Sequence, residues 1–174
     1  KDGQMGAFMF FSSDTVDVLA EDHKKLRKEL SILKDSKFTN SEKERAFERL
    51  VPNFISHSKR EERVIYSYMK YANDDLTSLA FKGEEEHMIC NQLVDNMTTE
   101  ELSPDEWKKK KKVLGELLEH HLNDEENKVF PLLKKNLDES TDIELCRKYK
   151  LQSSEKMIPP PEVSKWGSPT QTME

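Results

Sequence analysis

Apolar positions along this chain recur three and four residues apart, the spacing that gathers them on one face of an α-helix. From Asp14 to Lys34 the stripe is Val16, Leu19, Ala20, Leu26, Leu30 and Leu33, with Asp14 placed to cap its start. A second helix is predicted to open at Thr39–Ser41, where Ser41 and Glu44 make a capping-box pair, and to run to about Ala72 with a kink at Pro52. A third covers about Asp74 to Met97. A fourth begins at Ser103, with Pro104 at its first position and Glu106 as reciprocal cap, and reaches about Asn136. The links between them are short and polar, as neighbouring antiparallel helices require, so the expected fold is an all-α, up-down-up-down four-helix bundle. A shorter helix is expected from Asp142 to Leu151, with Ile143, Cys146 and Tyr149 as its apolar side. The chain then divides into an arm (1–13), the bundle (14–137), a short C-terminal helical segment (138–157) and a flexible Pro- and Ser-rich tail (158–174).

Composition narrows this picture. The 174 residues suit a single core plus a tail. Only 34% are apolar while 36% are charged, so the buried surface must be a narrow stripe on each helix rather than a sheet covered on both faces. A net charge of -6 argues against nucleic acid as a partner, because neutralising phosphates takes a basic surface. The run Lys108–Lys112 is the exception, and it is read as the solvated start of a helix. Cys90 and Cys146 form neither a CxxC pair nor a disulfide framework, which fits a reducing cytoplasm. No apolar run is long enough to span a bilayer, and Ala7–Phe11 is too short for a leader, so a cytoplasmic protein without a membrane partner is expected, as a monomer or weak homodimer.

Sliding the sequence against itself exposes a repeat with an offset of 64 residues. His23 falls on His87, His57 on His121, Glu61 on Glu125 and Glu62 on Glu126. The apolar stripe follows the same offset, with Leu26 on Cys90, Leu30 on Val94, Leu50 on Leu114, Phe54 on Leu118 and Ile65 on Val129. The unit is a helical hairpin, used twice. The repeat also settles the register of the His120-His121 doublet: His120 and Asp124 fall on Ser56 and Arg60, whereas His121 and Glu125 fall on a second His and Glu. His120 is therefore expected at the surface or behind the ligand layer.

His57 and Glu61 are four apart and share the face of Phe54, Val64, Ile65 and Tyr68; His121 and Glu125 do likewise among Leu114, Leu118, Val129 and Leu132. His23 and His87 lie within the apolar stripes of their own helices. Four imidazoles and two carboxylates thus point into an apolar interior, where an unpaired charge is expensive. No inward Lys or Arg is available at that depth. Two divalent cations would offset the carboxylates and use the imidazoles, and a donor set without thiolate favours iron, manganese or zinc.

These residues resemble the hemerythrin-like (HHE cation-binding) family, in which a single His on the first helix is followed by H-x3-E-E-x2-hydrophobic-aromatic, the whole unit repeated. The copies here read "EDHKKL" with "HSKREERVIY", and "EEHMIC" with "HLNDEENKVFP". The resemblance covers roughly Asp14 to Leu137 and implies a hemerythrin-like bundle around a carboxylate-bridged di-iron centre (Fe2+/Fe3+) with a bridging oxo or hydroxo group. It places His23 and His57 on one ion, His87 and His121 on the other, and Glu61 and Glu125 as bridges. Oxygen-carrying members have a further histidine one turn before the third-helix ligand, and Gly83 stands there in this chain. Glu84, three before His87, is a candidate additional carboxylate ligand. Cys90 is read as core packing, and Glu62 and Glu126 as lying off the ligand face. Tyr66 and Phe130, nine residues after their histidines, are expected half a turn round, against the rim or another helix.

The resemblance implies a non-haem di-iron protein that binds, senses or reduces a small molecule, namely oxygen, nitric oxide or peroxide. As an enzyme it would be a peroxide- or nitric-oxide-reactive oxidoreductase. The alternative is a non-catalytic metal- or oxygen-responsive interaction module, or a protein that stores or donates iron.

Overall fold

The computed structural model describes residues 14–152. The arm expected at 1–13, the tail expected at 158–174 and the end of the 138–157 segment lie outside the described residues. Among the described residues the structure is helical throughout, with no strand. Helix α1 (Thr15–Lys34) starts at Asp14, whose carboxylate accepts from the Asp17 amide at 2.7 Å while Asp17 accepts from the Asp14 amide at 3.2 Å. Helix α2 (Asn40–Arg60) is capped by Thr39 with Glu42, two residues before the expected Ser41–Glu44 pair. The two signatures overlap in sequence, and the earlier one closes the first turn, which leaves Ser41 inside it accepting from Arg45 at 2.8 Å. The helix passes Pro52 without ending.

Two long rods widen at matching points. After α2 the backbone forms a π-helical segment, Glu61–Tyr66, and continues as α3 (Ser67–Ala72). Helix α4 (Asp74–Thr99) follows, then α5 (Pro104–Asp124), opened by the Ser103–Glu106 capping box with Pro104 in the first turn, as expected. Next come a second π-helical segment, Glu125–Val129, and α6 (Phe130–Asn136). The rods form a closed ring in which α1 packs on α2, α3 on α4, α4 on α5, and α5 back on α1. This is the expected four-helix bundle.

The extra C-terminal helix, α7 (Glu139–Gln152), lies against α1 and the first π segment. Its Asp142 fastens it to the start of α1 by accepting from the Thr15 amide at 2.8 Å, while the Thr15 hydroxyl donates to the Asp142 carbonyl at 3.0 Å. Cys146 and Tyr149 are buried as expected, but Ile143 is 55% exposed and Leu145 takes the inner place. The buried face of α7 is therefore centred on Leu145, Cys146 and Tyr149, with Ile143 left outside it, on the side that Asp142 docks.

The core comes in two apolar clusters. One joins Leu26, Leu30, Phe47, Leu50, Phe54, Val94, Met97 and Leu114; the other joins Leu19, Ile65, Tyr66, Met69, Leu76, Ala80, Phe130 and Leu133. The histidines and both inward glutamates lie where each rod passes from one cluster to the other, as a buried polar layer. Around the lysine run, Lys111 lies over the Trp107 ring at 4.2 Å, and Lys109, Lys110 and Lys112 pair with Asp105, Glu100 and Glu116. No described helix is long and apolar enough to cross a membrane.

Candidate metal centre

All six side chains singled out by the repeat meet in the polar layer. His23, His57, His87, His121, Glu61 and Glu125 are each no more than 2% exposed. They form two overlapping groups, His57–Glu61–His87–His121 and His23–His57–Glu61–Glu125, within each of which the ligand-type atoms lie within 4.8 Å of one another. Glu61 Oε2 stands 3.2 Å from His57 Nε2 and 3.6 Å from His87 Nε2. Glu125 Oε2 stands 3.1 Å from His23 Nε2 and 3.4 Å from His121 Nε2. Each carboxylate thus spans one histidine of the first hairpin and one of the second. The Nε2 atoms of His87 and His121 face each other at 3.0 Å.

The outer nitrogens are held just as regularly. His23 Nδ1 meets Glu126 at 3.0 Å and His87 Nδ1 meets Glu62 at 2.9 Å. His121 Nδ1 meets Glu86 at 2.9 Å. His57 is the variant: Asp22, a methylene shorter than Glu86, stays 4.0 Å away, and the Tyr149 hydroxyl fills the gap, 3.1 Å from His57 Nδ1 and donating to Asp22 at 2.8 Å. A proton on each Nδ1 satisfies these partners and turns the bare Nε2 lone pair inward, the tautomer a metal ligand needs. Arg27 grips Glu126 at 3.0 and 2.8 Å, and Arg60 holds Asp22 at 2.7 Å, so two of the outer carboxylates are themselves anchored.

The outer carboxylates are the functional residues that angular reasoning on straight helices missed. Glu62 and Glu126 do leave the inward face, but they reach the neighbouring helix's imidazole from its rim. Asp22–Glu86 and Glu62–Glu126 each obey the 64-residue offset, a signal present in the sequence. Tyr66 and Phe130 also depart from expectation. In a regular helix they lie about half a turn from their histidines, but the π segments add a residue to one turn and rotate everything beyond by about 100°. Tyr66 accordingly stacks on His87 (ring centroids 5.5 Å apart, 19° between planes) and donates a hydrogen bond to Glu125 Oε1. Phe130 lies against His23 at 5.0 Å.

Glu84 is not brought to the cluster; it points toward α3, where Lys70 pairs with it. His120 is 63% exposed beside Glu86 and Asp124, and Lys82 and Lys128 already answer those two carboxylates. Cys90 is buried in the apolar cluster next to the site, and burial pushes its thiol up to about 12, which keeps it protonated.

Electrostatics in the layer favour positive charge. Burial opposes protonation of His121, but the charge of Glu125, the hydrogen bond that His121 donates to Glu86 and the charge of Glu61 outweigh it and bring the imidazole up to about 9. Burial would likewise raise Glu125, yet His121 and His23 hold its carboxyl well below the ordinary range. The donor set also fits a cation on a sharper ground. Both oxygens of Glu61, and Nε2 of His57 beside them, are fully buried without a hydrogen-bond partner. Such groups cost free energy unless something of opposite charge engages them.

The Tyr149 link carries a stability prediction. Tyr149→Phe leaves the ring under the Arg60 guanidinium but strands His57 Nδ1, with an expected loss of about 1–3 kcal/mol. In thermal unfolding the melting temperature should fall by roughly 3–10 °C. An unchanged transition would show that the phenol is only a packing group.

Residues 14–133 match the hemerythrin HHE cation-binding domain. A hemerythrin-like protein of Schizosaccharomyces pombe, itself uncharacterised, is 23% identical over 144 residues, covering 82% of this chain and 70% of that protein. No solved structure matches the chain. The matched segment takes in both copies of the histidine-and-HxxxEE hairpin and all six buried donors, and on that span the chain belongs to the hemerythrin HHE cation-binding family.

Proposed function

We propose that the six buried donors hold two iron ions, His23 and His57 on one, His87 and His121 on the other, with Glu61 and Glu125 shared between them, and that the centre binds a small diatomic molecule or peroxide. The observation that carries this reading is Glu61, a carboxylate with both oxygens buried and no hydrogen-bond donor, surrounded by imidazole nitrogens. Imidazole and carboxylate without thiolate suit iron, with manganese or zinc as alternatives. When bound, a pair of irons supplies reversible electron transfer and exchangeable positions for a small ligand.

The chain's own residues define how such a centre works. Glu126, Glu62 and Glu86 hold protons on the outer nitrogens of His23, His87 and His121, keeping the rings oriented and their inner lone pairs available. Leu19, Phe54 and Phe130, each buried, exclude bulk water above and below the layer. A second reading, a metal- or oxygen-responsive interaction module, is favoured by Tyr149, because it ties His57 to the C-terminal helix and so gives the site a mechanical output. Anaerobic iron loading followed by optical spectra before and after oxygen, nitric oxide and peroxide tests the proposal. It expects two irons per chain and a near-ultraviolet to visible band that changes with at least one of the three. Retention of less than one iron per chain would sink it; two irons with no response to any addition would leave the interaction module standing.

A further inference from the structure

Besides the Asp22–Tyr149 arrangement at His57, the two halves of the polar layer depart from the 64-residue repeat at two linked positions. Where the first hairpin has Leu19, the second has Gly83; where the second has Phe130, the first has Tyr66. The two exceptions touch. Gly83 is buried on α4, one turn before His87, and a Cβ there would lie 2.2 Å from the Tyr66 hydroxyl oxygen and 2.5 and 2.7 Å from its ring carbons. The absent side chain on one rod is therefore matched by the added hydroxyl on the other. Tyr66 is fully buried, stacks on His87, and donates its hydroxyl proton to Glu125 Oε1.

The consequence falls on the two shared carboxylates. Glu61 keeps both oxygens without a hydrogen-bond partner, whereas Glu125 has Oε1 committed to the phenol and turns only Oε2 toward His23 and His121. Resting on the two-ion reading above, we propose that Tyr66 is a positioning residue that makes the centre asymmetric: it withholds one oxygen of Glu125 from the ions, and the position so left open, beside its own hydroxyl, receives a small ligand able to accept a hydrogen bond. The ligand class is a compact anion or polarised diatomic. A purely apolar ligand gains nothing from the phenol. The equivalent place in the other half, between Leu19 and Phe130, offers no donor.

Tyr66→Phe keeps the ring, its stacking and the fit over Gly83 while deleting the donor, so it isolates the hydroxyl. Iron content and sodium azide binding to the ferric protein, followed through the azide-to-iron band, are measured for parent and variant. Both should keep two irons per chain, and the variant should bind azide roughly 10- to 100-fold more weakly, since it loses a charge-assisted hydrogen bond and frees Glu125 Oε1 to close the position. Equal azide affinities within about twofold would overturn the inference, because a tyrosine that only fills space predicts no change. A variant that loses iron would overturn it too, by assigning Tyr66 to holding the metal. If the parent itself fails to hold two irons, it is the two-ion reading that falls.

Discussion

Stripping the metal from the loaded protein with a chelator is expected to lower its melting temperature by roughly 15–30 °C. A ligand that binds only the folded state stabilises it by about 4 kcal/mol at a thousandfold excess over its dissociation constant, so two such ions contribute about 8 kcal/mol. For a domain of this size each kcal/mol moves the transition by roughly 2–4 °C. The magnitude has a structural cause. The donors come from α1, from the α2–α3 rod, from α4 and from the α5–α6 rod, so cations at their centre tie all four rods together. They also engage the buried groups that the chain does not satisfy by itself. Calorimetry or circular dichroism before and after chelation, with the metal restored in the same sample, is the measurement. A transition that stays within about 3 °C would mean that the bundle is stable on its own packing and that the polar layer is a hydrogen-bonded network.

That network shows where sequence reasoning reaches and where it stops. The rods were legible because their stripes have the period of the helix. The six buried donors were legible because two hairpins repeat the same chemistry at one offset, so each residue is checked by its counterpart. The π-helical widening at Glu61 and Glu125 was not. It is a backbone choice made under tertiary packing, and a straight-helix projection errs by about 100° for every residue beyond it. Tyr66 was missed for that reason, although its aromatic partner Phe130 at the same offset was a visible clue. Glu62, Glu126, Asp22 and Glu86 were missed for another. They sit at the edge of the inward face, and contact with a histidine on the next rod depends on inter-helix distance, which no single helix encodes. Glu84 was misassigned as a candidate ligand because its spacing from His87 was weighed without Lys70, which pairs with it from α3.

Glu61→Met should have opposite effects on the metal-free and metal-loaded protein. Methionine matches the length of glutamate without its charge, and Glu61 is wholly buried between Nε2 of His57 and Nε2 of His87. In the metal-free protein the substitution removes a desolvated carboxylate. The imidazoles it faced keep their outer nitrogens held by Tyr149 and Glu62. Both oxygens of Glu61 are buried without a hydrogen-bond partner, and removing such a charge relieves its desolvation cost, so this form should melt at the parent's temperature or up to about 10 °C above it. With metal present the variant loses the carboxylate that spans both hairpins. It should bind fewer than two ions per chain, and its metal-dependent stabilisation should shrink to about half the parent's or less. Titration with iron(II) under nitrogen, read by metal content and by melting with and without metal, gives both numbers from one preparation. If the metal-free variant melts well below the parent, Glu61 is a structural ion-pair partner of the histidines. If the loaded variant melts with the loaded parent, it is no ligand at all.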